Sequence, residues 1–220
     1  MKPIKISEAV VRRLPIYLQY LNELSRREVQ TVSSQDLGQK LDLNPAQIRK
    51  DLAYFGEFGR KGVGYDVAYL IEKIRGILKL DQTLNVALVG AGNLGHALCN
   101  YNTYIKDNMR IVAVFDAQES KVGTAINSLL VQPMHELEQT VREMDIRIGI
   151  ITVPAMEAQN VATKFTEAGI EGLLNFAPVI LRVPEHVRIH HADFTTELLS
   201  LAYYLDNREE GDKEDESALD

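Results

Sequence analysis

The sequence lacks the features of a secreted, membrane or disulfide-bonded protein. Its one cysteine, Cys99, excludes an internal disulfide framework. No apolar signal stretch follows the early charged residues, so we expect a cytoplasmic protein. Residues 82–105 contain no Asp, Glu, Lys or Arg, but four asparagines, one histidine and three glycines interrupt them, which excludes a transmembrane helix.

What remains is an ordinary globular composition with an uneven charge. The chain of 220 residues is 45% hydrophobic and 25% charged, which is typical of one large or two small domains. The net charge of −7 divides into +5 over residues 1–80 and −12 over residues 81–220. This asymmetry predicts two modules with different partners. Residues 207–220 are acidic and have no apolar periodicity, so we expect a disordered tail there.

Residues 1–80 predict a mostly helical module. Ser7 is suited to cap a first helix, whose apolar residues recur at helical spacing over 10–24. Pro15 lies inside this pattern, so we expect a kink or a restart. Ser33 and Asp36 have the spacing of a capping box and predict a short second helix.

A third helix is predicted over residues 45–55, since Asn44 is a good N-cap and Pro45 suits the first helical position. Its buried side is predicted from Ile48, Leu52 and Phe55. The side chains expected to face outward are Gln47, Arg49, Lys50 and Tyr54. This arrangement is typical of a helix-turn-helix, whose second helix enters the major groove of DNA.

The glycine-rich segment 56–65 follows and predicts a hairpin with Arg60 and Lys61 at its tip, a basic wing beside the recognition helix. Asp66 is expected to cap the next helix. The alternative is a small helical domain with a solvated polar face and an ordinary basic turn. The DNA-binding residues predicted for this winged helix are Ser33, Ser34, Gln47, Arg49, Lys50, Tyr54, Arg60 and Lys61.

The second module begins with a dinucleotide fingerprint. The apolar strand 85–89 is followed by a glycine loop and a helix, and the strand 111–115 ends in Asp116. In this context the first glycine makes the tight turn, the second lets the pyrophosphate approach and the third allows close helix packing. Asp116 is suited to bind the adenosine ribose. The loop residues are Gly90, Ala91, Gly92, Asn93, Leu94 and Gly95.

The fingerprint favours NAD over NADP, because Asp116 would repel a 2′-phosphate and no arginine follows it closely. Two alternatives stay open at this point. The glycine-rich turn could bind nothing, or it could bind another nucleotide or coenzyme A.

Further strands are predicted over 147–153, 172–174 and 188–191, with a helix over 155–168. This alternation predicts an α/β Rossmann fold with a doubly wound parallel sheet. Residues 152–154 and 175–177 follow two of these strands, so we expect them near the nicotinamide unless they only pack as loops. The helix 195–205 is apolar almost all round, which favours insertion into a partner or between domains over packing on its own sheet.

The second module, residues 81–206, has room for one dinucleotide fold and little else. The sequence contains no Tyr-x-x-x-Lys, HExxH or metal-ligand cluster. His135 is expected at the surface, and Cys99 is expected to serve packing. A nucleotide site without catalytic residues, joined to a DNA reader, predicts a sensor and not an enzyme. The competing hypothesis is a small NAD-dependent oxidoreductase with an accessory helical domain.

Residues 46–65 are very similar to the recognition helix and wing of the Rex family of bacterial redox-sensing transcriptional repressors. The glycine loop 90–95, residues 174–178, and Asp193 with Phe194 match as well. This resemblance implies a homodimer with swapped C-terminal helices. It also implies that NAD+ permits binding to palindromic operators and that NADH releases them, with no metal and no membrane involved.

Together the motifs and the resemblance place NAD+ or NADH on a set of residues from six segments of the second module. The predicted cofactor-binding residues are Gly90, Ala91, Gly92, Asn93, Leu94, Gly95, Tyr101, Asp116, Thr152, Val153, Pro154, Asn175, Phe176, Ala177 and Phe194.

One position departs from the family pattern. Some members pair a first-helix arginine with an acidic residue ahead of the last helix; Asp193 matches the acid, but the position of the arginine holds Gln19. The resemblance then implies that coupling runs through other contacts, such as Tyr101 with Asp193 or Phe194.

Overall fold

A computed structural model of the chain describes residues 6–54, 59–60, 64–101 and 109–206. The chain divides into two compact units, Met1–Gln82 and Thr83–Asp220. The boundary predicted from the sequence lies two residues earlier. The acidic tail predicted over 207–220 lies outside the described residues. Within the described ranges, no helix is long and apolar enough to cross a membrane.

The N-terminal unit opens with helix α1, Glu8–Arg26. Ser7 occupies the N-cap position, but its side chain makes no capping hydrogen bond. Of the kink or restart predicted at Pro15, the restart is wrong, because α1 continues through it. Pro15 lies on the exposed side, and burial of the opposite, apolar side outweighs the hydrogen bond that proline removes. That buried side consists of Val10, Leu14, Tyr17, Leu18, Leu21 and Leu24.

Helices α2, Ser34–Leu41, and α3, Pro45–Ala53, begin where the sequence predicts. The Ser33 hydroxyl accepts from the Asp36 N–H at 3.0 Å, and the Asp36 carboxylate accepts from the Ser33 N–H at 3.1 Å. The capping box is therefore complete. Asn44 caps α3 by accepting from the Ala46 N–H at 2.8 Å. The predicted helix end at Phe55 lies outside the described residues.

A small three-stranded sheet, two strands of which follow the two helices, supplies the frame of the wing. Its strands are β1, Thr31–Val32, β2, Gly59–Arg60, and β3, Gly64–Asp66, in the order β1-β3-β2 with antiparallel pairs. Strand β1 was not predicted, because two residues are too short to give a pattern. Asp66 then caps helix α4, Val67–Ile77, as predicted.

The C-terminal unit is built on a seven-stranded sheet in the order β10-β9-β8-β4-β5-β7-β6. All neighbouring pairs are parallel except β6 with β7. The prediction of a doubly wound parallel sheet is confirmed, and the short strands β6 and β7 were missed. The strands are β4 Leu84–Val89, β5 Met109–Asp116, β6 Ala125–Ile126, β7 Leu129–Pro133, β8 Ile146–Ile151, β9 Gly172–Asn175 and β10 Arg188–His191.

Apolar clusters cover both faces of this sheet. Along β4, Val86 and Leu88 belong to one cluster, and Ala87 and Val89 belong to the other. This alternation is expected for a central strand that is buried on both faces. The helices of the unit are α5 Asn93–Tyr101, a 3-10 turn Met134–Glu136, α6 Leu137–Glu143, α7 Ala155–Glu167 and α8 Phe194–Asp206.

Helix α8 leaves much of its apolar surface exposed. Asp193 precedes it and accepts from the Thr195 N–H at 2.9 Å and the Thr196 hydroxyl at 2.6 Å. Helix α8 is therefore capped at its N-terminus, although its apolar residues are left exposed. The exposed apolar residues include Phe194, Leu198, Leu199, Leu201, Tyr203 and Leu205.

Candidate nucleotide cleft and DNA-reading face

The C-terminal unit carries a cleft where the sheet reverses its direction of growth. From β4 the chain continues to the neighbouring strand β5, whereas from β8, on the other side of β4, it continues to β9. Ligands bind at such a switch point, outside the carboxyl ends of the strands. The cleft has a volume of about 680 Å³ and is lined by Val89, Gly90, Gly92, Asp116, Ala117, Gln118, Lys121, Met134, Thr152, Val153, Pro154, Glu157, Asn160, Val161 and Lys164.

The glycine loop has the geometry that a bound diphosphate needs. Gly90 has a φ of +114°, and a Cβ there would lie 2.6 Å from the carbonyl oxygen of Thr152. A Cβ on Gly95 would collide with the carbonyl oxygen of Gly90. A Cβ on Gly92 would meet no protein atom within 4 Å. The fold itself therefore requires Gly90 and Gly95, whereas Gly92 keeps open the space that leads into the cleft.

Asp116 ends β5 at the edge of the cleft and is buried. Its carboxylate accepts from the Ala91 N–H at 2.7 Å, the Gln118 N–H at 2.9 Å and Lys121 Nζ at 3.1 Å. Burial works to raise the pKa of Asp116, but the hydrogen bonds from Gln118, Lys121 and Ala91 outweigh it and hold the pKa below its ordinary value. The carboxylate is therefore ionised at neutral pH.

Six of the predicted cofactor residues line this cleft: Gly90, Gly92, Asp116, Thr152, Val153 and Pro154. Asn93 and Leu94 are exposed at the start of α5, next to the glycine loop. The N–H of Ala91 points to Asp116 instead of into the cleft. The structure does not place Tyr101, Asn175, Phe176, Ala177 or Phe194 in the cleft lining.

Asn175 organises the loop that follows β9. Its amide nitrogen donates to the carbonyl oxygens of Ala177 at 3.0 Å and Val179 at 2.9 Å, and it lies 3.1 Å from His191 Nδ1. Its amide oxygen accepts from the Ala177 N–H at 3.0 Å. The side chain of Asn175 is thus buried and fully engaged in shaping the loop. Phe176 is half-buried beside it.

Tyr101 and Phe194 have exposed side chains at the end of α5 and at the start of α8. The Asp193 carboxylate is engaged with Thr195 and Thr196 in capping α8. These hydrogen bonds hold the pKa of Asp193 below its ordinary value, that from Thr196 most of all. Gln19 is exposed on α1.

Several residues of the cleft were not predicted from the sequence. Lys121 is the most consequential, because its ammonium group pairs with Asp116 where no arginine follows that residue. Lys121 lies five positions after Asp116, but only the turn between them brings the two groups together. Helix α7 presents a second missed face, on which the residues recur at helical spacing: Glu157, Asn160, Val161 and Lys164.

On the N-terminal unit, Arg49 and Lys50 are exposed on α3, as predicted. The guanidinium of Arg49 donates to the Ser34 hydroxyl at 2.9 Å, which ties α3 to the start of α2. The Ser33 hydroxyl is engaged with Asp36 in the capping box. Ser34 and Arg49 therefore form one polar surface across the helix-turn-helix.

Two of the four side chains predicted to face outward from α3, Tyr54 and Gln47, are only partly exposed. Tyr54 is half-buried and packs against the core of the unit, because it ends α3 where the helix turns back to that core. Gln47 is half-buried and donates to Asp51 at 2.6 Å. Arg60 lies on β2, and Lys61 lies outside the described residues.

Other residues considered as chemical groups have ordinary surroundings. Cys99 is buried, and burial raises the pKa of its thiol to about 11, which suits packing and not reactivity. His135 is exposed. Among the described residues, no group of three or more His, Cys, Asp or Glu side chains could hold a metal ion.

A winged helix in one unit and a dinucleotide cleft in the other define a class: DNA-binding proteins with a nucleotide-sensing domain. Residues 81–179 match the family described as "CoA binding domain", and residues 5–53 match the family described as "Putative DNA-binding protein N-terminus". Both matches agree with this division of roles.

Two similar relatives carry the same name, redox-sensing transcriptional repressor Rex. The protein from Brevibacillus brevis is 62% identical over 201 residues, which cover 91% of this chain and 97% of the relative. The protein from Carboxydothermus hydrogenoformans is 48% identical over 205 residues, which cover 93% of this chain and 99% of the relative.

Solved structures of the Rex-family repressor RSP are also similar. The structure of RSP with beta-NAD+ and operator DNA has a TM-score of 0.86 at 36% identity and covers 94% of this chain and 96% of RSP. The structure with beta-NADH has a TM-score of 0.85 at 35% identity and covers 95% and 98%. The chain belongs to the Rex family of redox-sensing transcriptional repressors. These relatives confirm the prediction of a repressor and not a small oxidoreductase.

Proposed function

We propose that the chain binds operator DNA as a homodimer through its N-terminal unit, and that NADH bound in the C-terminal unit releases this DNA whereas NAD+ permits binding. The observation that carries the proposal is the cleft at the switch point, where Gly90, Gly92 and Asp116 meet in a chain 62% identical to a redox-sensing repressor. RSP, which shares the fold, has been solved with beta-NAD+ and operator DNA and with beta-NADH.

In this proposal the dinucleotide lies across the carboxyl ends of β4, β5 and β8. Its pyrophosphate meets the N-terminus of α5 beside Gly92, where the helix dipole and free N–H groups attract anions. The adenosine ribose lies at Asp116, and the adenine enters the space between Met134 and the exposed face of α7. The nicotinamide end extends past Thr152 toward the loop that Asn175 shapes.

On the DNA side, α3 enters the major groove. Arg49 and Lys50 are exposed there, and both side chains suit guanine O6 and N7 or the phosphate backbone. Ser34, at the start of α2, is placed for a phosphate contact beside them. The basic wing that carries Arg60 and Lys61 then follows the adjacent backbone.

The proposed homodimer accounts both for the reading of a palindrome and for the exposed apolar surface of α8. A two-fold symmetric dimer reads a palindrome only when its recognition helices lie about 34–36 Å apart, one turn of DNA. Helix α8, with its exposed leucines and tyrosine, is the element expected to exchange between subunits and cover that apolar surface. A ligand that rotates the subunits therefore changes the separation of the reading heads and the affinity for DNA.

The charge of the nicotinamide gives the switch its direction. NAD+ carries a positive ring charge that NADH lacks, and an apolar surrounding disfavours a buried cation. If Phe194 of the partner subunit closes over the ring, the closed state selects NADH. A coupling of about 1–3 kcal/mol, typical of such linkages, changes operator affinity roughly 5- to 150-fold.

The test is a fluorescence anisotropy titration of a labelled duplex that the protein has itself selected from random DNA. The salt concentration is held fixed, and NAD+, NADH, NADPH and coenzyme A are added in turn. We expect release by NADH, opposition by NAD+ and a weak response to NADPH. Coenzyme A is included because the family matched over residues 81–179 is described by that ligand. Tight binding to DNA that ignores both NAD+ and NADH would refute the proposed sensor.

The reciprocal measurement separates coupling from two independent sites. Linkage requires that saturating operator weaken NADH binding by the same factor by which NADH weakens operator binding. We therefore expect the dissociation constant of NADH to rise on addition of the selected duplex, and not on addition of an unrelated duplex. An unchanged constant would contradict the coupling.

A further inference from the structure

Helix α3 carries a carboxylate in the middle of its buried side. Asp51 lies between the core residues Ile48 and Leu52 in the helix, and its side chain is 0% exposed. A lone buried carboxylate is strongly destabilising, so it persists in a fold only when hydrogen bonds and a counter-charge satisfy it. Asp51 is therefore a position where the surrounding contacts serve a purpose beyond filling space.

Two residues from successive turns of α1 reach this carboxylate. Arg13 donates through Nε to Oδ2 at 2.6 Å and through Nη2 to Oδ1 at 2.9 Å. The hydroxyl of Tyr17 donates to Oδ2 at 2.7 Å. A two-pronged guanidinium contact fixes an angle as well as a distance. The rotation of α3 about its own axis is thereby set relative to α1.

A third donor comes from α3 itself. The amide nitrogen of Gln47, one helical turn before Asp51, donates to Oδ1 at 2.6 Å. Burial works to raise the pKa of Asp51, but hydrogen bonds from Arg13, Tyr17 and Gln47 outweigh it and lower the pKa. The group is ionised at neutral pH and can only accept. The Gln47 amide must therefore turn its nitrogen toward Asp51 and its oxygen away.

We propose that Asp51 is a positioning residue for operator recognition, which sets the rotation of α3 against α1 and fixes the direction in which the Gln47 amide meets a base. With one N–H held by Asp51, the amide still offers its oxygen and its second N–H in a fixed order. That order matches adenine, whose major-groove edge presents an N6 donor beside an N7 acceptor. Asp51 touches no DNA in this role, and the proposal rests on the proposed function.

The test compares how strongly each variant discriminates between base pairs at single positions of the duplex, and not its affinity alone. The selected duplex is titrated beside duplexes in which each A·T pair of a half-site is replaced in turn, and beside an unrelated duplex. We expect wild type to discriminate about tenfold or more at one A·T pair, as a bidentate amide contact does. Gln47→Ala removes that preference at the one pair and leaves the others.

Asp51→Asn keeps the shape of the side chain but removes the charge that orients the amide. We expect discrimination at the same A·T pair to fall to about threefold or less, since the fixed order of the bidentate contact is lost. Binding to the unrelated duplex and to NADH stays at the wild-type level. Glu8→Gln is the matched control: it removes an exposed carboxylate–arginine pair from the same α1 and leaves discrimination unchanged.

Loss of affinity for selected and unrelated duplexes by one common factor, or wild-type discrimination in Asp51→Asn, would overturn the proposal. Should Asp51→Asn fail to fold by circular dichroism, Tyr17→Phe decides the question. This variant removes one donor and keeps Arg13 and Gln47 in place, and we expect a partial loss of discrimination at the same pair. Unchanged discrimination in Tyr17→Phe would then overturn the proposal. A wild-type chain that selects no duplex would refute the proposed function itself, which is a separate result.

Discussion

Among the described residues, each unit contains one buried aspartate, and the two differ in the groups that donate hydrogen bonds to them. Asp51 is held by side chains, two of them from another helix: Arg13 and Tyr17. Asp116 is held by the backbone N–H groups of Ala91 and Gln118, with Lys121 in addition. In both cases the hydrogen bonds lower the pKa against the effect of burial.

This difference indicates that Asp51 joins two helices, whereas Asp116 is accessible to a ligand. Every donor to Asp51 lies within the N-terminal unit, and the carboxylate has no exposed surface. Asp116 lines the cleft, and its ammonium partner, Lys121, is about one-third exposed. In the proposed complex a ribose hydroxyl takes the place of the Lys121 contact, whereas no ligand can reach Asp51.

The largest expected effect is a loss of stability when each aspartate is replaced separately by alanine. Asp51→Ala leaves the Arg13 charge without its partner, so we expect the chain to lose about 3–5 kcal/mol of unfolding free energy. Asp116→Ala should cost about 1–3 kcal/mol, because water at the cleft can satisfy the N–H groups it leaves. Urea denaturation of the full chain, followed by circular dichroism, measures both. A larger loss of unfolding free energy in Asp116→Ala than in Asp51→Ala would contradict the distinction between the two aspartates.

The second-largest expected effect is a weaker binding of NADH in the cleft. In Gly92→Val the new side chain would occupy the open space beside the glycine loop. Overpacking costs about 1–3 kcal/mol, so we expect NADH binding to weaken roughly 5- to 150-fold. Operator binding should persist, and its release should need a correspondingly higher NADH concentration. Gly76→Val is the control, because a Cβ there also meets no atom within 4 Å but lies on α4. Isothermal titration with NADH compares the two variants.

A smaller effect tests whether Lys121 tunes the choice between NADH and NADPH. Its ammonium group offsets the charge of Asp116 and would attract a 2′-phosphate. A partly exposed pair contributes about 0.2–1 kcal/mol, so in Lys121→Ala we expect NADPH affinity to fall by up to about fivefold. NADH affinity should change by less. Asp116→Asn should shift the preference the other way, toward NADPH. An equal fall in the affinities for NADH and NADPH in Lys121→Ala would show that Lys121 does not affect the preference between them.

The smallest expected effect is a pH dependence of the Asp51 contribution. The pKa of Asp51 is lower in the folded chain than its ordinary value of about 4, so its contribution to stability is present above that pH. It is lost as the pH falls through the folded value. We therefore expect the difference in unfolding free energy between wild type and Asp51→Asn to shrink between pH 5 and pH 2 or so. A difference that grows on acidification would contradict the sign.

Local signals predicted the starts of helices α2, α3 and α4 and the alternation of strands and helices in the C-terminal unit. Ser33 with Asp36, Asn44 with Pro45, and Asp66 each specify a helix start through neighbours within three residues. The glycine loop likewise carries its own geometry. These features could be predicted because the residues that interact are adjacent in the sequence.

The contacts that were missed join distant residues. Arg13 and Asp51 are 38 positions apart, and no local pattern pairs them. One signal was present: Asp51 stands on the apolar side of α3 beside Leu52, where a carboxylate requires a partner. Tyr54 was assigned outward because a tyrosine suits either side of a helix, and only the position of the core decides between them.

Helix α8 has a consequence for how the chain must be handled. Thirteen residues are too few to keep a helix stable in water by propensity alone, and the leucines that would secure it face outward. In the proposed homodimer, order in this segment depends on contact with a second chain. We then expect, by mass action, a melting temperature that rises with protein concentration, so samples are comparable only at equal concentration.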